Sequence, residues 1–318
     1  MKKILGLLLF VFVLNSCDDG NVTVDTINFD AVAAGKCGNN NIVYKLNGSE
    51  ILLVEISETG AQPYENISGV KTFAISAANR VRYRLYNGAA SVSNICETLQ
   101  PATPTLAEEW VATSGTIEIT TTPVYNIPNA ITGAITILKY NHNIIFRNIT
   151  FAKPAGNQVY ETYNFGSYLT PATQFAFDFP TASLASCSGA KIYNVSTGRT
   201  ESLVIENPDA TLIPSTVGVV TEPISSTVNK LVYRMYASAI PLPIADYFCA
   251  ASTPTTPAIT EEWIGADGVA AVSGLIEVTT TTNGSGFSHT IRLKKVTFQK
   301  GSSTFYFGDD ILYGVLLN

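Results

Sequence analysis

The chain reads as all-β, built as two tandem antiparallel domains. Three observations predict this. A long stretch of sequence occurs twice, apolar residues alternate with period two, and turn residues punctuate the chain at short, even intervals. The first copy runs from Cys37 to Phe165 and the second from Cys187 to Phe307.

The copies match in order. Asn79 to Tyr86 (NRVRYRLY) corresponds to Asn229 to Tyr236 (NKLVYRMY), and Cys96 to Cys249. Glu108-Glu109-Trp110 corresponds to Glu261-Glu262-Trp263, which hold the only tryptophans. Ile117-Glu118-Ile119-Thr120 answers to Ile276-Glu277-Val278-Thr279, and His142 to His289, the only histidines. A repeat of this length means two duplicated domains, because solenoid units are much shorter. The implied division is a leader over residues 1–16, a tether over 17–24, a first repeat over 25–168 and a second over 169–318.

Thr26 to Phe29 reads as an opening strand. Two apolar runs, Ile42–Asn47 and Glu50–Ile56, flank Asn47-Gly48, a hairpin signal. Val81, Tyr83 and Leu85 alternate with Arg80, Arg82 and Arg84. Further strands are expected at Ile117–Thr120, Ile131–Leu138, Ile144–Phe151 and Val159–Phe165. Gly166 to Pro171 reads as a proline-stiffened linker and Gln174–Phe179 as the opening strand of the second copy. Such a series of short strands suits a β-sandwich, immunoglobulin-like or jelly-roll-like, with one β-barrel per repeat as the alternative.

The N-terminus carries an address. Met1-Lys2-Lys3 is basic, Ile4–Leu14 is an apolar run too short for a permanent membrane helix, and Leu14-Asn15-Ser16-Cys17 follows. This stretch resembles a bacterial lipobox, and Asp18-Asp19 after the cysteine resembles the surface-export signal of Bacteroidota lipoproteins. The resemblance implies acylation of Cys17, attachment to the outer membrane, and exposure at the cell surface, with a periplasm-facing protein as the alternative.

Four cysteines remain, two per repeat, and an exported protein permits disulfides. A duplicated domain carries its own bridge, so Cys37 pairs with Cys96 and Cys187 with Cys249. Each closes a loop of about sixty residues, worth roughly 4 kcal/mol in the chain-entropy model. With no C-x-x-C and one histidine per repeat, no metal site is expected.

Charged residues are 14% of the chain, against about 25% in ordinary domains, and the net charge is -6. That balance, with no basic run, argues against a nucleic-acid partner. Glu109 with Trp110, and Glu262 with Trp263, are the candidate ligand platform, because an exposed indole beside carboxylates suits a sugar ring. The competing reading is a core tryptophan. Adjacent glutamates on a strand face opposite ways, so they make a poor acid–base couple. Arg84 and Arg234 align, as do Glu118 and Glu277, as a polar binding face or as cross-strand ion pairs. His142 and His289 read as structural residues at strand edges, and Asp309-Asp310 as a weak calcium candidate. No catalytic set and no cofactor motif emerges. The expected function is a lipid-anchored, non-catalytic binding or structural module held to the membrane through Cys17, with a glycan or a protein as partner. The alternatives are a glycan-binding lipoprotein, by architectural analogy with starch-utilisation lipoproteins, an apolar-ligand carrier, and a hydrolase.

Overall fold

The computed structural model describes residues 26–318 other than 39, 58, 60 and 61. The leader, Cys17 and the 17–24 tether lie outside the described residues.

In the first repeat, strands Ile42–Asn47 (β2) and Glu50–Glu55 (β3) form the expected hairpin, with Asn47 opposite Glu50. Its two-residue turn is Gly48-Ser49, and Gly48 takes φ +60°, which its missing Cβ permits. Gly35–Lys36 (β1) adds to β2, and Arg80–Tyr86 (β5) adds to β3. β3 is buried on both faces. Leu52 and Val54 enter the main core, while Ile51 and Leu53 enter a smaller cluster with Cys37, Tyr86 and Ile95. The short helix Ser93–Cys96 (α1) lies over this cluster, tied down by the Cys37–Cys96 disulfide.

Three long strands complete the repeat: Leu106–Tyr125 (β6), Ile137–Lys153 (β7) and Gly156–Pro171 (β8). β5 pairs with the start of β6, and Gly69–Ala74 (β4) pairs with its later part. Between these two partners, the register of β6 on β7 shifts around Ser114. Gly115 sits there at φ +118°, and a Cβ on it would lie 2.7 Å from Ile149 Cα. Such bulges bend and twist a strand. β6 and β7 thereby carry one sheet round into two layers, a curled form between sandwich and barrel.

The second repeat uses the same order: Ala185–Ser186 (β9), Lys191–Val195 (β10), Glu201–Glu206 (β11), Gly218–Pro223 (β12) and Lys230–Tyr236 (β13). Ile259–Gly265 (β14) and Leu275–Asn283 (β15) together take the place of β6, interrupted by residues 266–274. Gly286–Lys300 (β16) and Ser303–Leu317 (β17) stand for β7 and β8. A second short helix, Ile244–Phe248 (α2), precedes Cys249, which is bonded to Cys187.

The repeats share a core. Ile137 and Tyr140 of β7, each 2% exposed, and Ala172 belong to the cluster built by the second repeat around Tyr233, Trp263 and Phe298. Polar bonds line the same seam. Ser68 N–H donates to Ser303 Oγ at 2.8 Å, and Tyr125 O–H donates to Thr304 O at 3.0 Å. Ile135 and Tyr306 exchange both backbone bonds, at 2.8 and 3.1 Å.

Several expected elements differ. Residues 166–171 are not a linker but the end of β8, paired with β7 as far as Pro171. The 131–138 strand begins only at Ile137, since residues 126–136 form a loop. The opening segments 26–29 and 174–179 are not strands. Their side chains do enter the cores, but side chains hold their backbones. Lys45 Nζ donates to Phe29 O at 2.9 Å, Asn194 Nδ2 to Pro180 O at 2.8 Å, and Glu201 accepts from Ala176 N–H and Phe177 N–H at 2.9 and 3.1 Å.

Candidate functional site

The tryptophans lie inside. Trp110 is 2% exposed and Trp263 3%, so neither offers an open ring to a sugar. Each faces a tyrosine across the sheet, Tyr83 for Trp110 and Tyr233 for Trp263. A lysine lies over each indole, Lys153 at 4.6 Å and Lys300 at 6.0 Å from the ring centre. The adjacent carboxylates are engaged as well. Glu109 accepts from Arg84 Nε at 2.8 Å, and Glu262 from Arg234 Nε at 2.6 Å. Arg234 also donates to Glu206 at 3.0 Å. Glu118 and Glu277 pair with Arg147 and Lys294 instead, at 3.0 and 3.2 Å.

The histidines are fully buried within their strands, not at edges. His142 Nδ1 lies 2.9 Å from Thr121 Oγ1 and Nε2 lies 2.9 Å from Thr170 Oγ1. Thr170 gives its own proton to Asn66 Oδ1, so it accepts from His142 Nε2–H, and Nδ1 is the acceptor for Thr121. Burial, and then the charge of Lys71, lower the His142 pKa to about 4. Among the described residues His289 keeps only the equivalent threonine bond, between Nδ1 and Thr280 Oγ1 at 2.9 Å. Asp309 accepts from Tyr306 O–H at 2.6 Å, and Asp310 is paired with Arg292 and Lys294 at 2.6 and 2.9 Å.

A cleft of about 690 Å³ opens between the repeats, a size typical of small-molecule sites, which favour such seams. One wall is the loop 126–136. Asn126 closes its base through N–H to Thr136 O at 2.8 Å and Nδ2 to Thr136 Oγ1 at 2.9 Å. Asn129 Oδ1 accepts from Ile131 N–H and Thr132 N–H at 2.9 and 3.0 Å, fixing the tip. Asp309 N–H then donates to Thr132 O at 2.8 Å, docking the loop on the second repeat.

The opposite wall and floor come from the second repeat: Phe177, Phe179, Leu203, Phe307, Ile311 and Tyr313. Phe177 takes φ +50°, a left-handed backbone costly for a bulky residue. The Glu201 carboxylate, buried and bonded to the amides of Ala176 and Phe177, holds it there. Tyr313 is fixed in the floor by its O–H, which shares its one proton between Ile192 O at 2.9 Å and Leu203 O at 2.8 Å, and burial raises its pKa. The lining carries hydrocarbons, hydroxyls and amides, and among the described residues no acidic, basic or histidine side chain belongs to it. It can hold a ligand by burial and hydrogen bonds.

None of the cleft residues was expected to form a site; Thr132, Ala134, Thr136, Phe177 and Phe179 lie in segments expected only as strands. A signal was present. Thr121 and His142 are 21 residues apart, whereas their partners Thr280 and His289 are 9 apart, so the first repeat carries an insertion between matched strands. No family model, curated protein or solved structure matches this chain.

Proposed function

We propose that this chain is a lipid-anchored protein of the cell envelope that works as a non-catalytic binding module, with the cleft between its repeats as the binding site. The observation that carries the reading is the cleft. Both repeats build it, one through an inserted loop and the other through a segment held in a costly backbone conformation. The anchor follows from the lipobox-like Leu14–Cys17 stretch and places the protein at the outer membrane, facing out, or facing the periplasm as the alternative. Glycan capture on Trp110 and Trp263 finds less support, since stacking needs open ring surface and both rings are covered.

Two measurements test this reading. The wild type should partition with membranes and incorporate labelled fatty acid, and Cys17→Ala should take up no label and either leave the membrane or persist as an uncut precursor. A thermal-shift screen of the soluble Cys17→Ala chain against a chemically mixed panel should find compounds that raise its melting temperature. Membrane partition unchanged by Cys17→Ala, with no labelled fatty acid on the wild type, contradicts the anchor, and a panel without effect contradicts the binding role.

A further inference from the structure

Resting on the cleft as the binding site, we infer that its ligand is an uncharged, largely apolar small molecule with a hydrogen-bonding group at one end. Among the described residues, no Asp, Glu, Lys, Arg or His belongs to the lining. The ionic groups beside the rim are already engaged: Asp310 with Arg292 and Lys294, and Asp309 with Tyr306 O–H. An ion entering the cleft therefore loses hydration without gaining a counter-charge.

The floor is aromatic and aliphatic, with the rings of Phe177 and Phe307 packed edge to face at 5.0 Å. Polar groups are concentrated on the loop wall, at Asn126, Asn129, Thr132 and Thr136. The loop's own bonds use Asn126 Nδ2 and Asn129 Oδ1. Asn126 Oδ1 and Asn129 Nδ2 have no partner among the described residues. One acceptor and one donor on the same wall suit a hydroxyl, a carbonyl or an amide at the end of an apolar body.

Two dyes that differ by one charge test this. N-phenyl-1-naphthylamine is neutral and apolar with a single N–H, and 8-anilinonaphthalene-1-sulfonate adds a sulfonate to the same skeleton. Both are titrated into the full mature chain carrying Cys17→Ala, so that no acyl chain or detergent competes. The loop supplies a matched pair of variants. Ile127 lines the cleft and is 92% exposed, while Ile131 is 93% exposed and is not part of the lining. Neither is a core residue, and equal melting temperatures for Ile127→Asp and Ile131→Asp confirm that both fold. The neutral dye should bind at one site per chain, and the sulfonate at least about tenfold more weakly. Ile127→Asp should weaken the neutral dye about tenfold, and Ile131→Asp should leave it unchanged. If the sulfonate binds as tightly as the neutral dye and Ile127→Asp weakens both, the ligand class is overturned and the cleft stands as the site. If neither dye binds, or the two variants behave alike, the cleft reading falls and the inference with it.

Discussion

Where β6 turns into β7, the first repeat carries the loop 126–136; where β15 turns into β16, the second carries only Gly284-Ser285. Where β6 bends at Gly115, the second repeat instead breaks its strand and inserts residues 266–274. Elsewhere the repeats agree closely. Each has its disulfide, with Cα atoms 5.4 and 5.3 Å apart, its buried tryptophan opposite a tyrosine, and its buried histidine on a threonine. The skeleton of the duplicated unit is thus kept, and the first repeat's extra loop lies at the seam between copies. That loop converts a junction of two domains into a walled cleft.

The buried groups differ in a second way, which mutation can sharpen. Trp110 Nε1–H donates to Glu108 at 2.6 Å, whereas Trp263 Nε1 has no partner among the described residues. Trp263 instead sits in the shared core, edge-on to Phe305 at 5.1 Å and Phe175 at 5.9 Å. Trp110→Ala and Trp263→Ala should each cost about 3–5 kcal/mol in urea unfolding, as truncation of a buried large aromatic does. Only Trp263→Ala should also weaken dye binding in the cleft, because Phe175 and Phe305 link it to Phe177. Equal loss of binding in both variants would erase the distinction drawn between the repeats.

A smaller effect separates the histidines. His142 is neutral in the folded chain with its pKa lowered to about 4, while the unfolded chain titrates near 6.5. Above pH 6.5 its contribution to stability is complete. As pH falls from about 6.5 to about 4, the unfolded chain takes up the proton first, and stability declines. The melting temperature of the wild type should therefore fall more steeply over this window than that of His142→Gln. Parallel profiles would mean that the His142 site is not linked to folding.

Much of this architecture was legible in the residues. The β2–β3 hairpin, the alternating arginines of β5 and both disulfides follow from turn chemistry, periodicity and duplication. The opening segments misled because Phe175, Phe177 and Phe179 alternate as a strand would, yet the partners of their backbone are the carboxylate of Glu201 and the amide of Asn194, remote in sequence. Residues 166–171 misled because Gly166 and Pro171 look like linker residues, although Gly166 at φ +96° is accommodated within β8, where the β7–β8 register shifts. The cleft was hidden for a related reason. Its walls come from both repeats, and only the unequal spacing of the matched threonine and histidine hinted at the loop.

A cleft between loosely joined domains would not hold its shape, so the binding site requires the two repeats to be one body with a common core. Ile137 gives the direct test. It belongs to a strand of the first repeat, is 2% exposed, and packs in the core of the second. Ile137→Ala should cost about 2–5 kcal/mol. Native-state hydrogen exchange of this variant should show the slowest amides of β3 and β5 in the first repeat, and of β13 and β16 in the second, losing protection by the same free energy. Loss confined to one repeat, with the amides of the other exchanging as in the wild type, would contradict the shared core and the rigid cleft that depends on it.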